Sequence, residues 1–76
     1  MMELNDFIKN FADQFDDTDV DVFNAKTEYQ ELEEWSSVTV LSVIACVRTM
    51  YGKKITASDL RSCQTIEELF NLVKDR

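Results

Sequence analysis

Apolar residues recur at Leu4, Phe7, Ile8, Phe11, Ala12 and Phe15, the three-and-four spacing of one helical face, while Asp6, Lys9, Asn10 and Asp13 fall elsewhere. The spacing predicts a helix over residues 2–15, with Asp6 near its start, where the helix dipole favours an acid. Phenylalanines on such a stripe are read as core. Residues 16–36 break the pattern. Asp16, Asp17, Thr18, Asp19 and Asp21 are poor helix and strand formers in a self-repelling cluster. A long loop is expected there, with Val20, Val22, Phe23, Tyr29 and Leu32 tucked in, laid across the bundle, pinned by Phe23 and Leu32, and able to hold a short helical turn.

The run from Ser37 to Tyr51 carries both signals. Val38-Thr39-Val40 and Val43-Ile44 are β-branched and suit a strand. The run exceeds ordinary strand length, however, and no second strand of similar quality exists to pair with it. Val40, Leu41, Val43, Ile44, Val47 and Tyr51 cover a broad helical face. A helix is therefore expected over 37–51, apolar around most of its circumference and so central, wrapped by the others. Gly52 is placed to end it as a left-handed cap, with Lys53 and Lys54 at the negative end of the dipole.

Beyond Gly52, Thr56 opens a short helix over 56–61, anchored by Ile55 and Leu60. Thr65-Ile66-Glu67-Glu68 has the spacing of a capping box ahead of a last helix that runs to about Lys74. Ile66, Leu69, Phe70 and Val73 form its buried stripe, with Leu72 flanking. The predicted fold is all-α, a small four-helix bundle of three main helices plus one short third helix, with a long first loop. It forms a single domain over 1–76.

Composition narrows the chemistry. A chain of 76 residues buries only about 60% of its unfolded surface, so each apolar stripe matters. Absence of proline and the single Gly52 favour helices joined by polar loops. Thr39 and Ser42 interrupt the best apolar run, so no membrane span is expected, and the N-terminus lacks the basic start and apolar centre of a secretion signal. A cytoplasmic monomer is expected. Cys46 and Cys63 are read as reduced thiols, the first buried in the apolar helix and the second incidental at the surface.

Residues 1–36 hold eleven of the fifteen acids against Lys9 and Lys26 alone, within a net charge of −7. Nucleic acid is a poor partner for such a chain, and a basic protein surface is a better one. Without histidine there is no base to activate a serine or cysteine, and the acids lie on loops and solvent faces, so no catalytic residue is expected. Asp17, Asp19, Asp21 and Glu28 match several ligand positions of a calcium-binding loop, but the turn glycine is Val22, and neither Phe23 nor Asn24 restores it. No metal site is expected, and a calcium-binding domain stays only as an alternative.

The remaining chemistry sits at Trp35-Ser36-Ser37-Val38. If the run from 37 is a helix, these hydroxyls stand at its positive end, a natural seat for a phosphate ester. The bland alternative is a helix cap with Trp35 packed beneath it. Leu32-Glu33-Glu34-Trp35-Ser36-Ser37-Val38, the apolar helix to Tyr51-Gly52, Ile55-Thr56 and Thr65-Ile66-Glu67-Glu68-Leu69 together resemble the acyl carrier protein family over essentially the whole chain.

That family's motif is Asp-Ser-Leu, often after tryptophan, and its serine carries 4′-phosphopantetheine, whose thiol holds acyl groups as thioesters. Registering Tyr51-Gly52 on the family's aromatic-glycine pair implies attachment at Ser37, with Ser36 as the helix cap beside it. Ser36 and Val38 depart from the family's aspartate and leucine; the first removes a negative charge beside the site. The helix itself offers Arg48 and no acid, so Glu31, Glu33 and Glu34, with Trp35 and Val38, are the partner-contacting residues the resemblance implies. The implied partners are a phosphopantetheinyl transferase, drawing the arm from coenzyme A, and acyl-loading and acyl-processing enzymes with basic docking surfaces. The implied pathway is fatty acid, polyketide or peptide biosynthesis. A degenerate, unmodified carrier fold that only binds a partner is the alternative.

Overall fold

The computed structural model describes residues 3–76. Its order is α1 (Leu4–Ala12), short 3₁₀ turns at Val20–Val22 and Tyr29–Glu31, α2 (Ser37–Tyr51), α3 (Ala57–Ser62) and α4 (Ile66–Lys74). The all-α bundle predicted from periodicity is what the chain forms; among the described residues the only β pairing is an isolated bridge between Glu28 and Thr65. None of these helices is long and apolar enough to cross a membrane.

Helix α1 buries Phe7, Phe11 and Ala12. It stops three residues short of the predicted end, and residue 2 lies outside the described residues. Gln14 and Phe15 donate to Phe11 and Ala12, bonds of the tighter i→i−3 kind at 3.1 and 3.0 Å. That turn swings Phe15 inward, against Phe23 at 5.0 Å and Phe11 at 5.5 Å between ring centroids.

The long loop is anchored differently from expectation. Phe23 and Tyr29 are buried as predicted, but Leu32 is only partly so, Val20 and Val22 are exposed because their turn stands out from the bundle, and the deepest anchor is Tyr29, with no exposed surface. Its hydroxyl donates to Leu60 O, with Cys63 O at 3.1 Å as the other acceptor in reach, and Gln30 Nε2 donates to Cys63 O at 2.8 Å. Two loop residues thus satisfy carbonyls that the end of α3 leaves open. The same loop serves the start of α4: Ile66 N–H reaches Thr27 O at 3.2 Å and Glu67 N–H reaches Ala25 O at 3.0 Å. Lys26 adds an exposed ion pair with Glu67.

Helix α2 runs over the predicted residues and ends at Gly52, whose φ of 65° is the left-handed cap. It is not the wrapped central helix that its composition suggests. Only Thr39, Val43 and Val47 are buried, while Val38 and Leu41 are 71% and 67% exposed. The core is supplied by the aromatics of α1, the loop and α4, so one face of α2 has nothing left to pack against.

Thr56 and Asp59 form a reciprocal cap for α3, and Arg76 grips the Asp59 carboxylate with both guanidinium nitrogens at 2.7 and 3.0 Å. In α4, Thr65 Oγ1 accepts Glu68 N–H at 3.2 Å as predicted, but the Glu68 carboxylate returns to Gln64 N–H at 3.0 Å, one residue earlier than a capping box requires. Ile66, Leu69, Phe70 and Val73 are its buried stripe. Both thiols depart from the predicted burial. Cys63 is buried, 6% exposed, because Tyr29 and Gln30 draw its backbone inward, and Cys46 is half-buried on the flank of α2.

Candidate functional site

The two serines sit where the sequence places them, Ser36 as the cap of α2 and Ser37 as its first helical residue. Ser36 has extended backbone, φ −151° and ψ 177°, and its carbonyl accepts the first helical bond from Val40 N–H at 2.9 Å. The cap is reciprocal with Thr39, whose Oγ1 accepts Ser36 N–H at 2.7 Å. The Thr39 hydroxyl donates to Glu34 O at 2.8 Å, with Ser36 O at 3.0 Å as the other acceptor in reach.

Thr39, 5% exposed, joins the site only through the fold. The spacing Ser36-x-x-Thr39 was the available signal, since a hydroxyl at the third helical position can serve as the return half of a capping box.

Ser37 and Val38 are exposed, and no acid lies in the first turn of α2. The first backbone amides of the helix have no intrahelical partner, so partial positive charge gathers beside the Ser37 side chain. The neighbouring acids divide. Glu31 and Glu33 are exposed. Glu34 instead folds its carboxylate back onto the loop, accepting Asp16 N–H at 3.0 Å, Asp17 N–H at 2.9 Å and the Thr18 hydroxyl. The Thr18 hydroxyl and these amides hold its carboxyl below the usual carboxylate range, against a smaller opposing effect of burial.

Trp35 is half-buried and forms a wall of the core, 4.9 Å from Tyr29 and stacked on Phe11 and Phe15 at 6.4 and 6.3 Å between centroids. Ser37, Val38, Glu31 and Glu33 are thus the exposed members of the predicted set, while Thr39, Glu34 and Trp35 are engaged by the loop and core.

The loop aspartates serve turn geometry. Asp19 Oδ1 caps the Val20–Val22 turn by accepting Asp21 N–H at 3.0 Å. Among the described residues no group of three or more such side chains converges where a metal could be held. On the other side of α2, Cys46 Sγ lies 3.7 Å from Asn10 O, and burial, with the Asp13 charge second, pushes its thiol up. Burial likewise raises the Cys63 thiol. Neither is an activated nucleophile.

Comparison with family models, curated proteins and solved structures finds no match to this chain.

Proposed function

We propose that this chain is an acyl carrier, with 4′-phosphopantetheine attached to Ser37 and acyl groups held on the arm's thiol. The observation that carries the reading is the placement of an exposed Ser37 as the first residue of a fifteen-residue helix, behind a serine cap and ahead of a left-handed glycine stop. That arrangement coincides with the order of elements that the carrier resemblance implies.

The residues present fit a phosphodiester at this point. The first turn of α2 has no acid to repel it, the Glu34 carboxylate is occupied by loop amides, and free backbone amides face the site. Modification would form a bond from Ser37 Oγ to phosphorus and break the pyrophosphate bond of coenzyme A. The serine proton would pass to the transferase, and the adenosine bisphosphate half would leave. When bound, the arm supplies a thiol that holds acyl groups as thioesters. The bundle contributes presentation: Ser36 and Thr39 fix the backbone beneath Ser37, and Trp35 anchors that turn to the core. In this reading the protein works as a cytoplasmic monomer beside transferase and acyl-processing enzymes, with Glu31, Glu33 and Val38 as contacts. The test is intact mass after incubation with a phosphopantetheinyl transferase and coenzyme A. One arm is expected on wild type and on Ser36→Ala, and none on Ser37→Ala; no addition to wild type across several transferases sinks the reading.

A second reading is favoured by one observation. The outward face of α2 carries exposed Val38 and Leu41 with Arg48 and no acid, a surface suited to stable protein contact without an arm. A partner that binds Ser37→Ala as tightly as wild type would support it.

A further inference from the structure

Resting on the carrier reading, we infer that the cargo at Ser37 is a short or polar acyl group, and that a long alkyl chain finds no shelter in this bundle because α3 is locked against it. The first observation is that the interior behind α2 is filled. Val43, Val47 and Leu60 are 1–2% exposed, and Phe7 packs edge-on against Phe70 at 5.6 Å. A close-packed interior admits a chain only by displacing side chains.

The second observation is a point, among the described residues, where space reaches the core. A cavity of about 10 Å³, room for a single water, lies between α1 and α2 beside Phe7, Phe11 and Cys46. An open groove of about 450 Å³ continues from it past Ser42, Cys46 and Met50. Cys46 is nine residues beyond Ser37. That is about two and a half turns, on the opposite side of the helix. A chain fixed at Ser37 starts away from this opening. Val38 and Leu41, near Ser37 on the helix, are 71% and 67% exposed and, among the described residues, enclose no apolar pocket of their own.

The third observation is the lock. For a chain to enter from the Ser37 side, α3 must move away from α2, and the loop ties it down. The Tyr29 hydroxyl donates to Leu60 O in a buried setting, with Cys63 O as the other acceptor in reach, and Gln30 Nε2 reaches Cys63 O at 2.8 Å and Leu60 O at 3.3 Å. At its other end Asp59 is held by Arg76. Opening the seam would strand these carbonyls without donors. A long chain therefore stays in water, at a cost that grows with each methylene, whereas a group of few carbons, or one bearing an amine, hydroxyl or carboxylate, incurs little.

The test loads Ser37 with acetyl- and dodecanoyl-pantetheine from the corresponding acyl-coenzyme A, verified by intact mass. It then compares backbone amide shifts and the rate of thioester cleavage by hydroxylamine. The two wild-type forms should share their shifts at Phe7, Val43, Val47 and Leu60 and cleave within about twofold of each other. In Tyr29→Phe/Gln30→Ala, the dodecanoyl form alone should shift those residues and cleave more slowly. Core shifts and roughly tenfold protection of the dodecanoyl thioester in wild type, equivalent to about 1.4 kcal/mol of sequestration, would overturn the inference. So would a double variant, shown to be folded, whose dodecanoyl form behaves like its acetyl form. If no mass is added, the carrier reading fails separately. The same shifts are then read with free S-dodecanoyl-pantetheine: saturable core binding to wild type overturns the lock, and binding to the double variant alone supports it.

Discussion

The hydroxyl of Tyr29 donates to the main-chain carbonyl of Leu60 across 31 positions of sequence, in the interior of the bundle. It ties the long acidic loop to the end of α3, and burial raises the phenol far above the usual tyrosine range, so it stays a protonated donor. Tyr29→Phe keeps the ring contacts and removes the donor. Gln30 already reaches Cys63 O, so the loss falls mainly on Leu60 O. A destabilisation of about 1–3 kcal/mol is expected, read as a lower urea midpoint with unchanged slope.

Thr39 supports the start of α2 in the same way. Thr39→Val keeps the shape but leaves Ser36 N–H and Glu34 O without their shared hydroxyl. About 1–3 kcal/mol should be lost, while Thr39→Ser should retain most of it. Hydrogen exchange localises the effect: Ser36 N–H should lose protection in the valine variant and keep it in the serine variant.

Glu34 makes stability depend on acid. Its folded-state value lies below its unfolded one, held there first by the Thr18 hydroxyl and then by the loop amides. Its contribution is therefore complete above the unfolded carboxylate range and disappears as pH falls through the lowered value. Asp59, lowered chiefly by Arg76, adds a second loss of the same sign. The urea midpoint of wild type should fall on acidification through that range. Glu34→Gln should start lower at neutral pH and fall less steeply, retaining the Asp59 part; a curve parallel to wild type would count against the assignment.

At Gly52 the penalty for a side chain is conformational alone. Its φ is 65°, and a Cβ placed there meets nothing within 4 Å. Gly52→Ala should cost about 1–2 kcal/mol from the left-handed backbone, and Gly52→Asn less. Thermal melts of the two variants separate these outcomes from a packing defect, which would not favour the larger residue.

The thiols should differ in access more than in acidity. Both are raised by burial, so alkylation at neutral pH should be slow, and Cys46 on the flank of α2 should react before buried Cys63. Peptide mapping after brief iodoacetamide treatment would show it. Faster labelling of Cys63 would mean that the end of α3 opens readily.

What the sequence determined by itself is local. The caps at Ser36, Thr56 and Thr65, the stop at Gly52, and the stripes of α1 and α4 depend on hydrogen bonds and spacings within a few residues, which composition and order already contain. The start of α2 at Ser37 belongs to this class, and with it the position of the candidate site.

Tertiary structure decided the rest. Periodicity states which residues could be buried but not whether a surface exists to bury them, so Leu41 of α2 faces solvent and the predicted central helix is a flank. The anchoring of the loop by Tyr29 instead of Leu32, the inward turn of Cys63, and the binding of the Glu34 carboxylate to residues 16–18 all join groups far apart in sequence. No local signal encodes such pairs, because each partner's surroundings exist only once the helices have packed.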